Sequence, residues 1–113
     1  MSRGDVYWAS LQPTEGSEQT GRRPVIVVSR DAINKSSPVI IVVPVTRRIH
    51  KRYIYPSQVE IAAGVGGLAA DSVALCEQVR AIAKTRLGQP LGHLPSAVLS
   101  QVNASLKIAL DLS

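Results

Sequence analysis

The chain has 113 residues, 45% of them hydrophobic and 19% charged, which is enough apolar material for one buried core and too little charge for a disordered segment. Its net charge of +5 is one-sided: residues 1–52 carry nine Lys and Arg against four Asp and Glu, whereas residues 53–113 carry four of each. That imbalance suggests a polyanionic partner, or simply a basic soluble domain, while the single cysteine excludes an internal disulfide and no apolar run nears the ~18–20 residues of a membrane-spanning helix.

In chain order, Met1 to Asp5 has no apolar signal core, so a cytoplasmic protein is expected. Val6 to Leu11 reads as a first strand. Pro13 to Gly21 is polar and broken by Gly and Pro, so it is a loop. Pro24 to Ser29 and Val39 to Val45 are β-branched runs that predict two further strands. Their near-continuous apolar character suggests burial on both faces. Pro44 should mark a sheet edge or a bulge. Between them, Asp31 to Asn34 predicts a turn or short helix.

Thr46 to Tyr55 is a basic stretch that holds Arg47, Arg48, His50, Lys51 and Arg52. Gln58 to Ile61 alternates as a half-buried strand, and Gly64 to Gly67 is a turn. Ser72 to Cys76, Val79 to Ala83 and Leu87 to Leu91 are short strands, the last interrupted by Pro90. Beyond Pro95 the pattern changes. Val98, Leu99, Val102, Leu106, Ala109 and Leu110 recur at spacings of three and four, which predicts an amphipathic helix opened by Pro95. No linker or repeat interrupts this order. One mainly β domain with helices (α+β), spanning residues 1–113, is expected. Six or seven short strands would form a small barrel carrying a C-terminal helix.

The chemistry is narrowed by what is missing. His50, His93 and Cys76 lie far apart, so no local metal-ligand spacing exists and no metal or other cofactor is expected. No phosphate-cradling glycine motif precedes a helix, and no carboxylate pair suggests glycoside chemistry. Cys76 sits in an apolar run and reads as a buried thiol. Arginines, hydroxyls and amides remain. Such groups suit phosphodiesters, because the guanidinium fork matches phosphate oxygens in pairs. RNA also carries its own nucleophile, the 2′-OH. A protein that cuts it needs only to align that oxygen and stabilise the charge that develops on phosphorus. Composition and spacing end at a basic β domain suited to nucleic acid.

Four segments go further. Arg3-Gly4-Asp5-Val6-Tyr7-Trp8 is followed by Gly16-Ser17-Glu18-Gln19-Thr20-Gly21-Arg22-Arg23-Pro24-Val25, then by Ser37-Pro38 through Pro44-Val45-Thr46. Last comes Asp71 through Arg80, with Lys84-Thr85-Arg86-Leu87 behind it. In this order and spacing the chain resembles the MazF/PemK family of toxin endoribonucleases along nearly its whole length. The resemblance implies an SH3-like β-barrel of the CcdB/MazF type and a homodimer. It implies metal-independent cleavage of single-stranded RNA at a short motif, with 2′,3′-cyclic phosphate and 5′-OH products. The partner it implies is a MazE-like antitoxin whose acidic, flexible segment occupies the RNA groove.

By position, Arg23 and Thr46 match the family's catalytic arginine and threonine. Arg23 would stabilise the phosphorane charge and donate a hydrogen bond to the leaving 5′-oxygen; its pKa makes it a poor proton donor. The Thr46 hydroxyl would orient the 2′-OH or a non-bridging oxygen. Glu18, in the same loop as Arg23, would orient the guanidinium or take a proton, unless it is only a loop salt bridge. Ser72 and Gln78 match family positions near the groove, where Gln would read a base edge and Ser a phosphate or base, unless they only make strand-end hydrogen bonds. Arg47, Arg48, Lys51 and Arg52 suit phosphate contacts beside Thr46, unless they are only a solvated charged loop. His50 is a base by chemistry but matches no family position. Trp8 offers a stacking surface, although its place in a strand favours packing. The chain departs from the family at Ala83, where an Asp is common, a position more structural than chemical. Two rival readings are a CcdB-like toxin acting on a protein such as DNA gyrase, and a non-catalytic RNA-binding barrel.

Overall fold

A computed structural model describes residues 1–11 and 21–113. Seven strands form one curved sheet: β1 (Asp5–Ser10), β2 (Arg22–Val27), β3 (Val39–Arg47), β4 (Gln58–Ile61), β5 (Ser72–Leu75), β6 (Arg80–Ala83) and β7 (Leu87–His93). A short helix, α1 (Asp31–Ser36), links β2 to β3, and a fifteen-residue helix, α2 (Ser96–Leu110), ends the fold. Every recorded strand pairing is antiparallel, in the order β4-β5-β3-β2-β1-β7, with β6 also on β3.

The sheet curls like a barrel without closing, since β4 and β7 remain its ends. The gap is spanned by a single turn of 3₁₀ helix at Val65–Gly67, which packs against β7. Contact there is backbone to backbone. A Cβ added to Gly67 would sit 2.0 Å from the Leu91 carbonyl oxygen, and one added to Gly92 would sit 2.7 Å from the Gly66 carbonyl. Gly67 also has φ +78, so a side chain is refused on both steric and conformational grounds. The Gly64 to Gly67 turn read from sequence is thus the piece that draws the two edges together.

The β2 run is buried on both faces, as expected, whereas β3 is so only from Val42 to Thr46; its first half alternates, with Val39 and Ile41 exposed. In β2, Ile26 faces one core with Val43, Val45, Ala74 and Leu94, while Val25 and Val27 face a second with Ile40, Val42 and Ile82. Helix α2 covers the first core. Val102 is fully buried, a contribution of about 1.5–3 kcal/mol, with Val98, Leu99 and Leu106 beside it. The helix therefore packs on its own sheet. Its far end leaves Ile108, Leu110 and Leu112 exposed.

The expectation for Pro44 needs correction. It lies not at an edge but buried within β3, the most heavily paired strand. The reason lies in the pairing. On one side β3 pairs with β6 through Val39 to Val42 and with β5 only from Val45 onward. Pro44 falls in the seam where one partner has ended and the next has not begun, so its missing N–H forfeits no bond there.

Candidate active site

The β2–β3 ladder sets the site. Val27 faces Val42, Ile26 faces Val43 and Val25 faces Pro44. Carried on in the same register, two further steps put Arg23 opposite Thr46. The recorded pairing stops short of that, at a point flanked by Pro24 and Pro44. Pro24, whose place in this register turns its nitrogen toward β3, has no N–H to continue the ladder, so the strands are free to part. A groove of about 290 Å³ opens there. β2 contributes Arg22, Arg23 and Pro24; β3 contributes Val45, Thr46 and Arg47; Trp8, Ser72, Leu91 and the Gly67–Ala70 segment complete it.

Each polar member is held differently. Thr46 is 5% exposed and paired in the β3–β5 ladder opposite Val73, and its hydroxyl has no hydrogen bond to any described residue. A buried hydroxyl left without a protein partner is uncommon, and it suits a group kept for a ligand. Ser72 is equally buried, but its hydroxyl donates to the Ala70 carbonyl at 2.7 Å, which makes it a brace for the groove's far side. Arg23 is half-buried and makes its own contacts. The exposed Arg22 lies with its guanidinium 5.0 Å from the centre of the Trp8 ring. Three arginines and no carboxylate are found among the described lining residues, so the groove favours an anion.

The other expected contacts spread beyond the groove. Arg48 lines an adjoining recess of about 310 Å³ together with Glu60, Asp71 and Ser72, so Ser72 is shared by the two depressions. Its charge is partly engaged. The guanidinium donates to the Lys51 carbonyl and lies 3.7 Å from Glu60, an exposed and therefore weak pair. Lys51 sits 5.7 Å from the Tyr55 ring, and Arg52 is exposed. Gln78, half-buried in the turn Cys76–Gln78, makes contacts of its own and does not line the groove. His50 is exposed and is not a groove residue either. Glu18 lies outside the described residues. Trp8, weighed as a packing residue, is in fact a groove wall. Arg22 comes in beside Arg23 from the same segment, whereas Gly67–Ala70 carried no sequence signal for the site, since only the curl of the sheet brings it there.

Cys76 is fully buried, its Sγ 3.9 Å from the Val102 carbonyl. Burial, with Glu77 adding to it, pushes its thiol up to about 12, so it stays protonated and inert. Among the described residues no three His, Cys, Asp or Glu side chains converge as metal ligands, and no helix is long and apolar enough to cross a membrane.

Comparison with known proteins agrees with this geometry. Residues 2–110 match the PemK-like, MazF-like toxins of type II toxin–antitoxin systems. The endoribonuclease MazF of Staphylococcus saprophyticus is 46% identical over 112 residues, which is 99% of this chain and 92% of that protein. The crystal structure of MazF from Deinococcus radiodurans superimposes with a TM-score of 0.83 at 30% identity, covering 98% of this chain and 96% of its own. A MazE–MazF complex from the same organism superimposes with a TM-score of 0.77, also at 30% identity, covering 100% and 97%. With the family match spanning residues 2–110 and a relative 46% identical over 112 residues, the chain belongs to the PemK-like, MazF-like toxin family of type II toxin–antitoxin systems.

Proposed function

We propose that residues 1–113 form one toxin domain that acts as a sequence-specific endoribonuclease on single-stranded RNA. The observation that carries this reading is the shared groove of Arg23 and Thr46, anionophilic and opened where the β2–β3 ladder stops. The 2′-OH attacks the adjacent phosphorus and the bond to the 5′-oxygen breaks. The products are a 2′,3′-cyclic phosphate and a 5′-OH, with no water consumed and no metal required. Arg23 stabilises the charge on the pentacoordinate phosphorus and donates a hydrogen bond to the leaving oxygen. Thr46 orients the 2′-OH or a non-bridging oxygen with its otherwise unengaged hydroxyl. Glu18 is the loop carboxylate offered for orienting Arg23 or taking the 2′-OH proton. Arg47, Arg48, Lys51 and Arg52 bind phosphates, and Ser72 and Gln78 support RNA contacts at the margins.

The same reading makes the protein a cytoplasmic homodimer held in check by a MazE-like antitoxin, whose acidic segment would lie over the arginines of the groove. The relative from Staphylococcus saprophyticus is an endoribonuclease, and the Deinococcus radiodurans toxin assembles with MazE, which supports both parts. A gyrase-directed or non-catalytic role is less well supported, because neither accounts for Arg23 and Thr46 lining one groove.

The test is direct. Purified protein is incubated with long single-stranded RNA and EDTA, and new 5′ ends are mapped. Cuts at one short motif, insensitive to chelator and lost in Arg23→Ala and Thr46→Ala, are expected. A 2′-deoxy residue at the cut should block the reaction. Absence of any cut would remove the enzymatic reading, and cleavage by Arg23→Ala would remove the site assignment.

A further inference from the structure

The segment between β3 and β4 presents a surface that the groove does not use. β3 and β4 both run antiparallel to β5, hence parallel to each other, so the connection at residues 48–57 must travel back along the strands from the groove end to the opposite end of β4. It begins at the groove: Arg47 pairs with Ser72, and the Arg48 N–H is bound to the Asp71 carbonyl at 2.8 Å. It ends at Gln58, whose side chain accepts from the Tyr55 N–H at 3.2 Å. Along this path the side chains change from cationic to aromatic. Arg47, Arg48, Lys51 and Arg52 come first, then Tyr53 and Tyr55.

The two tyrosines are notable for being outside. Tyr53 is 61% exposed and Tyr55 54%. Their rings meet edge to face with centroids 4.7 Å apart, and the Lys51 ammonium lies 5.7 Å from the Tyr55 ring. The hydrogen bonds at the Tyr55 N–H and the Lys51 carbonyl fix the backbone that carries the rings, and the T-shaped contact sets one ring against the other, which lessens the ordering needed on binding. Core packing does not explain rings that remain this exposed. The cations beside them select the occupant: an anion that also has flat apolar faces is a nucleic-acid strand. Glu60 answers only Arg48, and Glu77 is engaged with Ser57 and Gln58.

We infer that Tyr53 and Tyr55 form a base-stacking platform for RNA flanking the cut, reached from the Arg23–Thr46 groove along the cationic strip Arg47, Arg48 and Lys51. The platform rests on the endoribonuclease reading and deepens it. It adds affinity for, and selection among, nucleotides that undergo no chemistry. Phosphates are guided by the strip, and a base outside the cleaved step lies against a tyrosine face.

The experiment uses the full chain and a short RNA containing the mapped cut site, with an abasic residue placed at one flanking position at a time on either side. For the wild type, removing the stacked base should lower kcat/KM about fivefold to hundredfold, expressed mainly in KM. The Tyr53→Ala/Tyr55→Ala variant should show a similar loss on intact RNA and no further loss on the abasic one. The Tyr53→Phe/Tyr55→Phe variant should behave as wild type, because stacking needs the ring and not the hydroxyl. A double-alanine variant with wild-type KM and wild-type sensitivity to the abasic site overturns the platform while the endoribonuclease reading stands. Variants that change the solution mass or antitoxin binding but not KM assign the tyrosines to a protein interface and overturn it too. A wild type that cuts no RNA removes both proposals together.

Discussion

The two ends of the β1–β2–β3 sheet are built from similar residues and put them to opposite use. At one end the buried and half-buried polar groups are tied to protein partners. Arg3 binds the Val28 carbonyl through Nε and Asn103 through a terminal nitrogen, and its N–H goes to Asp31. Ser29 and the buried Asn34 hydrogen-bond to each other, and Asn34 also donates to the Ser29 carbonyl at 2.7 Å. At the other end the ladder stops between two prolines, three arginines line an open groove, and the Thr46 hydroxyl has no described partner. The first end ties β1, α1 and α2 together. The second takes its position from ladders and burial while leaving hydrogen-bonding capacity for a ligand. Polar residues that are satisfied stabilise; those that are positioned but unsatisfied are available for chemistry.

The contrast can be broken at several points. Arg23→Ala should have the largest effect, lowering single-turnover RNA cleavage about 10²–10³-fold while the urea midpoint barely moves. A comparable loss of stability would make Arg23 a structural residue like Arg3. Thr46→Val should cost about tenfold to hundredfold in cleavage, yet leave stability equal or slightly raised, since it removes a buried hydroxyl without a partner. Thr46→Ser should retain most activity. The two readouts, cleavage rate and denaturant midpoint, must move apart for the contrast to hold.

At the satisfied end the pattern should invert. Asn34→Ala leaves the Ser29 hydroxyl and carbonyl short of their partner and should destabilise by about 1–3 kcal/mol, with cleavage per folded molecule unchanged. The smallest effect concerns Asp5. Burial alone would raise its carboxyl, but hydrogen bonds from the Ser2 N–H and His93, with the His93 charge, hold it below the usual value. Its carboxylate lies 2.7 Å from His93 Nδ1. A depressed carboxyl contributes stability above its unfolded pKa of about 3.9, and that contribution is lost as pH falls through the folded value. Asp5→Asn should therefore lower stability slightly from about pH 4 up to neutrality, and the difference from wild type should vanish as pH falls through the folded value. A profile identical to wild type would remove the Asp5–His93 pair from the stabilising set.

Much of this was legible before any coordinates. β-Branched runs placed β2 and β3, and the two-sided burial of β2 and of the second half of β3, because those side chains suit a pleated sheet and have no polar atom to expose. The three-and-four spacing after Pro95 placed α2, and the polar–apolar alternation placed β4 at Gln58–Ile61. Pro44 was misread because the rule against central prolines assumes continuous partners on both sides, and a seam between β6 and β5 is a property of the whole sheet. Leu87 to Leu91 proved longer, reaching His93, since Pro90 sits in an end strand that pairs on one side only.

The sequence by itself determined the elements, the basic bias and, through ordered motifs, the identity of Arg23 and Thr46 as the pair to examine. These are local properties, carried by residue type and spacing. Only the tertiary structure decided that Arg23 and Thr46 line one groove where the β2–β3 ladder stops, and that Trp8 and Gly67 to Ala70 complete it. It also decided that Tyr53 and Tyr55 stand exposed at the end of a cationic path. Pairing partners and curvature link residues dozens of positions apart. A local pattern carries no term for them.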